Sequence, residues 1–158
     1  MKLSQLSEEA IVNAEKEVGK LHHEFIGTEH LLLGLLGPKN KSEIASQLKA
    51  EGVDISEARR AVERISGDKA VDSAKPITLT PRAKKVLAQA QSEAEKEGKE
   101  VIDPKHILQA LIVDREGVAA RVLENAKVKP GHKPSSLFGR ILKTVLLLYF
   151  RIKGAFRK

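Results

Sequence analysis

The apolar positions of the chain recur with the period of an α-helix. In residues 10–21 and again in residues 86–94 they are spaced by three and four, which predicts two amphipathic helices. Each segment is followed by a short loop and then by a run with few polar positions, residues 31–36 and residues 107–112. A helix that is apolar nearly all round is expected at the centre of a bundle, so these two runs are the predicted buried elements.

The pattern occurs twice because the chain matches itself at an offset of 76 residues. Phe25-Ile26 aligns with Val101-Ile102, and His30-Leu31-Leu32 aligns with His106-Ile107-Leu108. We therefore expect an all-α fold in which two pseudo-symmetric helical repeats share one core. The expected limits within a domain of residues 1–128 are 3–66 for repeat one, 67–76 for a polar linker and 79–128 for repeat two.

Capping residues predict where the helices begin. Asp103-Pro104 is a strong start for the second helix of repeat two, and Gly27-Thr28 is its weaker counterpart in repeat one. Further short helices are predicted at residues 43–50, at residues 118–125 and, with Ser56 as its cap, at residues 56–65.

Three stretches carry a resemblance to a known family. Residues 25–36 are Phe-Ile-Gly-Thr-Glu-His-Leu-Leu-Leu-Gly-Leu-Leu, residues 79–87 are Leu-Thr-Pro-Arg-Ala-Lys-Lys-Val-Leu, and residues 117–123 are Gly-Val-Ala-Ala-Arg-Val-Leu. They closely resemble signature stretches of the Clp repeat domain, the amino-terminal domain of the Clp AAA+ unfoldases, and the likeness is nearest to the ClpC branch. The resemblance implies an all-helical module, without chemistry of its own, that receives substrates and adaptor proteins for a Clp unfoldase and protease.

The motor of such an unfoldase is not found in the sequence. No Gly-x-x-x-x-Gly-Lys-Ser/Thr phosphate loop occurs, and 158 residues are too few for an ATPase ring subunit. The chain has no Cys, which excludes thiolate chemistry. We expect a non-catalytic, stand-alone protein without a cofactor, in the bacterial cytoplasm or the plastid stroma. Its expected partners are Clp unfoldase or protease subunits, adaptors or marked protein substrates.

The resemblance also implies a ligand site. In ClpC-like proteins the acid of each Gly-Thr-Glu-His stretch helps to bind phosphoarginine, a mark that directs some substrates to degradation. Repeat one keeps this pattern with Thr28 and Glu29, whereas repeat two has Pro104 and Lys105 at these positions. Lys105 would repel a guanidinium, so only Thr28 and Glu29 are carried over as candidates. The simpler alternative is that Glu29 is an acid favoured by the dipole of the helix that it begins.

A protein-binding surface is expected where repeat two begins. Residues 81–85 place three cations in one helical turn, at the end where the helix dipole disfavours them. The family likeness implies that this segment borders the adaptor surface, with Leu79 as an apolar contact. The expected members of the surface are Leu3, Leu79, Thr80, Arg82 and Lys85.

No metal site is predicted. His30 and His106 occupy equivalent positions beside leucines, but neither is followed by a His or a carboxylate four residues later on the same helix. We expect both histidines to serve in packing or hydrogen bonding.

The excess positive charge is confined to the end of the chain. The net charge is +7, yet the 19 cations and 21 acids up to residue 126 nearly cancel. From residue 127 onward there are nine cations and no acid. Nucleic acid is not an expected partner, because this basic segment contains no recognisable binding motif.

Residues 129–158 are expected to form a separate basic segment, in which a linker with two prolines precedes an amphipathic helix at residues 136–156. The stretch between its cations is too short to span a bilayer. Two alternatives stay open: the helix lies in an anionic membrane interface, or its apolar face completes the core of repeat two. The residues expected to contact a membrane or a partner are Arg140, Lys143, Leu146, Tyr149, Phe150 and Arg151.

Overall fold

Helices account for most of the described residues in the computed structural model, which covers residues 2–67 and 76–125. The predicted helix at residues 43–50 is confirmed at both ends, and the one at residues 118–125 is confirmed from its start at Val118 to the last described residue, Asn125. The predicted tail helix, with all of its candidate contact residues, lies outside the described residues. The described elements in chain order are α1 (Gln5–Lys20), β1 (Phe25–Ile26), α2 (Thr28–Leu35), α3 (Glu43–Ala50), α4 (Ile55–Ser66), β2 (Thr78–Leu79), α5 (Pro81–Lys96), α6 (Pro104–Val113) and α7 (Val118–Asn125).

Each repeat is built on a long helix that packs against a buried one. In repeat one α1 lies along α2, and in repeat two α5 lies along α6. Leu32 of α2 and Leu108 of α6 are fully buried, as the apolar runs predict. Helix α2 also contacts α6 and α7, so the two repeats share one core. The all-α class is thereby confirmed, while the domain limits at residues 66, 79 and 128 stay predictions.

Two short backbone pairings, which helical periodicity does not predict, join the repeats. Strand β1 pairs in parallel with β2, and Ile26 lies opposite Leu79. An isolated parallel bridge joins Leu3 to Ile102. At the 76-residue offset, Ile26 corresponds to Ile102 and Leu3 corresponds to Leu79, so the two pairings are equivalent. In each of them, the loop before the buried helix of one repeat pairs with the start of the other repeat.

The hydrogen bonds of the two pairings are equivalent as well. The Thr80 N–H donates to the Ile26 carbonyl at 2.9 Å, and the Ser4 N–H donates to the Ile102 carbonyl at 3.0 Å. Because buried backbone groups must find partners, this reciprocal pairing fixes where each loop lies against the other repeat.

The cap of α4 differs from the one predicted. The helix begins at Ile55, and Asp54 rather than Ser56 is its N-cap residue. The Asp54 carboxylate accepts the backbone N–H of Ser56 at 2.8 Å and that of Glu57 at 3.3 Å. Asp is as good an N-cap residue as Ser, and its position two residues earlier adds half a turn to the helix.

A buried ion pair holds α4 against α1. The Glu17 side chain is 3% exposed, and Arg59 of α4 donates to its two carboxylate oxygens at 2.8 and 3.0 Å. Lys20 donates to the same carboxylate at 2.7 Å. Burial acts to raise the pKa of Glu17, but the hydrogen bonds and charges of Arg59 and Lys20 outweigh it and keep that pKa below its ordinary value.

Gly34 lets α1 and α2 approach closely. A Cβ at this position would stand 2.1 Å from the Ala10 carbonyl oxygen and 3.1 Å from the Ala14 Cβ, both on α1. By contrast, Gly19 near the end of α1 has open space where its Cβ would be. Substituting the two glycines separately therefore distinguishes two effects on the free energy of unfolding: the loss of close packing at Gly34, and the general effect of replacing glycine in a helix at Gly19.

We expect Gly34→Ala to lower the free energy of unfolding by about 1–3 kcal/mol or more, because the backbone of α1 must move away. Gly19→Ala is the matched control and should raise it by up to about 1 kcal/mol, since alanine loses less conformational entropy in a helix. Urea denaturation followed by circular dichroism measures both. Equal shifts at the two positions would contradict the close approach.

Candidate functional site

A pocket of about 410 Å³ lies between the two repeats. The loop before α2, the end of α4 and the amino-terminal ends of α5 and α7 surround it. Thus repeat one and repeat two both contribute to its walls. Its lining residues are His23, Glu24, Phe25, Glu29, Ile65, Ser66, Thr80, Val118 and Arg121.

The charged groups of this pocket have both signs. Glu24 and Glu29 are its acids, and Arg121 of α7 is its cation. The Glu29 side chain is only 14% exposed. Its carboxylate lies over Gly27, where a Cβ would stand 2.5 Å from both oxygens, so a glycine is needed for this arrangement. A ligand that carries a positive and a negative group would be complementary to these walls.

Thr28 does not line this pocket. The residue is 2% exposed, and its hydroxyl accepts the backbone N–H of Ala119 at 3.4 Å. The same hydroxyl donates to the Glu29 carboxylate at 3.5 Å. Thr28 therefore links the first turn of α2 to the first turn of α7 and positions both beside the pocket.

His30 holds the turn that carries Glu29 in place through a backbone hydrogen bond. Its Nδ1 accepts the Gly27 N–H at 2.9 Å, and its Nε2 lies 2.9 Å from His23 Nδ1. Since Nδ1 is an acceptor, we assign the proton to Nε2, which donates to His23. Burial and, to a smaller extent, the charge of His23 lower the pKa of His30 to about 3, against the opposing charge of Glu17.

The second histidine has the same capping role. His106 Nδ1 accepts the Asp103 N–H at 2.9 Å, and its Nε2 lies 3.3 Å from the Glu97 carboxylate. Both His30 and His106 are fully buried. The expectation of a hydrogen-bonding role is thus confirmed for both, and each ring satisfies a backbone donor that the start of its helix leaves open.

One group of possible metal ligands is present in the described part of the chain. His23, Glu29 and His30 offer ligand atoms within 4.8 Å of one another. Both ring nitrogens of His30 are already engaged, one with Gly27 and one with His23. A metal ion would have to replace these hydrogen bonds, so the geometry does not favour metal binding, and the expectation of no metal stays a prediction.

Repeat two does not reproduce the acidic pocket. Lys105, the counterpart of Glu29, forms an ion pair with Glu97. Lys99 forms a second pair with Asp103 at 2.6 Å. At the surface equivalent to the Glu29 turn, the acids Glu97 and Asp103 are therefore both paired with lysines.

A second, more open pocket of about 700 Å³ lies on the other side of Thr80. Arg82 crosses its edge and donates to Asp114 at 2.7 Å and to Glu116 at 3.0 Å. Val113 is 60% exposed there. The lining residues are Thr80, Pro81, Arg82, Lys85, Val113, Asp114, Arg115 and Glu116.

The structure brings together three of the five residues expected in the protein-binding surface. Thr80, Arg82 and Lys85 line the open pocket. Leu3 and Leu79 are partly buried against the core, belong to the two inter-repeat pairings, and are not among the residues that line the open pocket. Thr80 also lines the first pocket, and its hydroxyl caps α5 by accepting the Ala83 N–H at 3.1 Å.

Sequence reasoning did not identify Phe25 or Arg121 as pocket residues. Phe25 is 49% exposed although it precedes a buried isoleucine. Arg121 belongs to the other repeat and reaches the pocket only because α7 packs against α2 and α4. No local pattern links these two positions, although a lone exposed aromatic is a signal that could have singled out Phe25.

Comparison with known proteins establishes the family. Residues 2–126 match the family model described as the Clp repeat (R) N-terminal domain. The chain belongs to this family. It is 40% identical over 135 residues to the chloroplastic chaperone protein ClpC of Pisum sativum, and the aligned region covers 85% of this chain and 14% of that protein. It is also 45% identical over 115 residues to the ClpA homologue of Guillardia theta, an ATP-binding subunit of the ATP-dependent Clp protease. That aligned region covers 73% of this chain and 14% of the Guillardia theta protein.

Solved structures agree with this fold. The N-terminal domain of the chaperone ClpD from Arabidopsis thaliana superimposes with a TM-score of 0.68 at 24% identity, over 94% of this chain and 97% of that one. The Hsp104 N-terminal domain from Candida albicans gives a TM-score of 0.67 at 15% identity, over 93% of this chain and 90% of that one.

The relatives are much longer than this chain, which spans about a seventh of their length. The Clp N-domain is the non-catalytic, protein-interaction module of ClpC- and ClpA-type chaperones. Among the described helices, none combines the length and the apolar character needed to cross a bilayer.

We expect the neutral His30 to make the Clp N-domain sensitive to acid. Its pKa is lowered from 6.5 to about 3, so between these pH values the unfolded chain takes up a proton that the folded chain does not. Stability should therefore fall below about pH 6 by up to about 1.4 kcal/mol per pH unit from this residue. His30→Gln keeps an acceptor for Gly27 and removes the titration, so its stability should fall less steeply.

Urea midpoints measured from pH 7 to pH 4 test this expectation. His22→Asn is the matched control, because His22 is exposed and has a φ of 51°, which asparagine tolerates. It should retain the pH dependence of the wild type. Parallel pH profiles for the wild type and His30→Gln would contradict the role assigned to His30.

Proposed function

We propose that this chain is a docking module of the Clp chaperone–protease system that binds adaptors, marked substrates, or unfoldase or protease subunits. We further propose that the pocket beside Glu29 takes a phosphoarginine side chain. The observation that carries this proposal is the pocket itself, in which an acid from repeat one faces the amino-terminal ends of two helices of repeat two.

The chemistry of the pocket supports a ligand with a guanidinium next to a phosphate. A nearly buried carboxylate such as Glu29 can pair with a guanidinium through charge-assisted hydrogen bonds. The helix dipoles of α5 and α7 and the charge of Arg121 favour an anion on the opposite wall. Thr28 acts indirectly in this proposal, by holding the first turns of α2 and α7 together.

The open pocket at Arg82 is the proposed contact surface for partner proteins. Arg82 and Lys85 border it, and the exposed Val113 supplies apolar surface. Because Arg82 is already paired with Asp114 and Glu116, a partner would meet a fixed guanidinium rather than a mobile one. Leu3 and Leu79 would support this surface from the core side.

We propose the plastid stroma or a bacterial cytoplasm as the location, since several of the matched relatives are named as chloroplastic proteins. The membrane role considered for the tail is not adopted as a second function. Its candidate residues, Arg140 to Arg151, lie outside the described residues, and no observation on the described part of the chain favours it.

Calorimetry with phosphoarginine tests the ligand. Glu29→Gln keeps the shape of the side chain and removes its charge, so we expect it to weaken binding by roughly tenfold to a hundredfold. Glu95→Gln, an exposed acid of α5, is the matched control and should bind as the wild type does. Absence of binding to the wild type would remove phosphoarginine as the ligand, and equal binding to Glu29→Gln would remove Glu29 from its binding site.

Competition tests the docking role separately. An excess of this chain should slow the degradation of an arginine-phosphorylated substrate by a reconstituted ClpC-type unfoldase and protease, because the chain would hold the substrate or an adaptor. The Glu29→Gln variant should compete less well for that substrate. Undiminished degradation at saturating wild-type chain would contradict the docking role.

A further inference from the structure

Phe25 is an aromatic ring held at the surface beside an acidic pocket. It is 49% exposed and lines the Glu29 pocket. It is also the only Phe, Tyr or Trp before residue 138, so the core formed by the described residues contains none of these side chains. Burying an aromatic ring would contribute to the stability of a core, yet the one Phe among the described residues is half exposed at a polar site.

The position of Phe25 is fixed by the backbone. Strand β1 pairs in parallel with β2, and Phe25 lies opposite Thr78. The next residue, Ile26, is 3% exposed and anchors the strand in the core. Because neighbouring side chains of a strand point in opposite directions, burial of Ile26 directs the Phe25 ring outward. The ring is thus presented by a segment that both repeats hold in place.

Three features of the same pocket favour a cation against this ring. Glu24 and Glu29 supply negative charge, and the face of an aromatic ring carries a partial negative charge. A guanidinium is planar and weakly hydrated, so it stacks on a ring better than an ammonium does. Arg121 on the α7 wall disfavours a second cation but would pair with an anionic group of the ligand.

We propose that Phe25 is a specificity residue of this pocket, whose ring stacks on the guanidinium of the bound arginine derivative while Glu29 neutralises its charge. This inference rests on the proposed function and adds the selection of a guanidinium over an ammonium. The pocket should therefore discriminate arginine derivatives from lysine derivatives by the aromatic face as well as by charge.

The test compares three variants in calorimetry with phosphoarginine. Phe25→Leu keeps an apolar side chain without a ring and should weaken binding by roughly 3-fold to 30-fold. Phe25→Tyr retains the ring and should bind as the wild type does. Val12→Ala is the matched control, since Val12 is 47% exposed on α1 and lies outside the pocket lining, and it should leave binding unchanged.

A spectroscopic readout separates stacking from simple apolar contact. In proton NMR, the δ-methylene signal of bound phosphoarginine should shift upfield under the ring current of Phe25. The shift should be lost in Phe25→Leu and retained in Phe25→Tyr. Thermal melts of the variants should coincide with that of the wild type, because the half-exposed ring contributes little to the core.

The outcomes distinguish the inference from the proposed function. If the wild type binds phosphoarginine in a Glu29-dependent manner and Phe25→Leu binds equally well, the stacking role is overturned while the ligand stands. Weaker binding of Phe25→Leu without any upfield shift in the wild type would also overturn it, in favour of apolar contact. If the wild type does not bind phosphoarginine at all, the ligand and the stacking role both fail.

Discussion

The arrangement of the two repeats depends on a reciprocal backbone pairing. The loop before each buried helix pairs with the start of the other repeat, through Ile26 with Leu79 and through Ile102 with Leu3. Unpaired backbone groups at these buried positions would be costly, so neither loop can move without breaking hydrogen bonds to the other repeat. The pocket between the repeats exists because of this constraint. Phe25 and Thr80, which line the pocket, are direct neighbours of the paired residues Ile26 and Leu79.

The buried histidines fix the starts of the two buried helices, again through hydrogen bonds to backbone groups. Each accepts the backbone N–H of the residue that precedes its helix, Gly27 for His30 and Asp103 for His106. In repeat one the neutral His30 ring lies directly beneath the turn that carries Glu29. The orientation of the pocket acid is therefore set by an uncharged hydrogen-bonded side chain, whose neutrality is maintained by burial rather than by a partner of opposite charge.

Duplication supplied the scaffold, and divergence between the copies made it asymmetric. The position of Glu29 in repeat one is that of Lys105 in repeat two, where the lysine is paired with Glu97. The close helix approach at Gly34 corresponds to an alanine, Ala110, in repeat two. Equivalent backbone positions thus keep one fold while their side chains take opposite charges, because the core depends on the apolar positions and the backbone pairings.

The sequence by itself determined the helical class, the doubling of the chain and the starts of the buried helices, since apolar spacing, capping residues and the 76-residue match are local or periodic signals. The family resemblance, rather than any local pattern, gave Glu29 as a candidate ligand residue and left out its counterpart Lys105. Only the tertiary structure placed Glu29, Thr80 and Arg121 around one pocket, joined Leu3 and Leu79 to the other repeat through backbone pairings, and placed His23 beside His30. The physical reason is that these contacts join residues from different elements. Two-residue strands and helix-to-helix packing produce no periodic pattern in the sequence, so contacts between residues far apart in the chain could not be predicted from it.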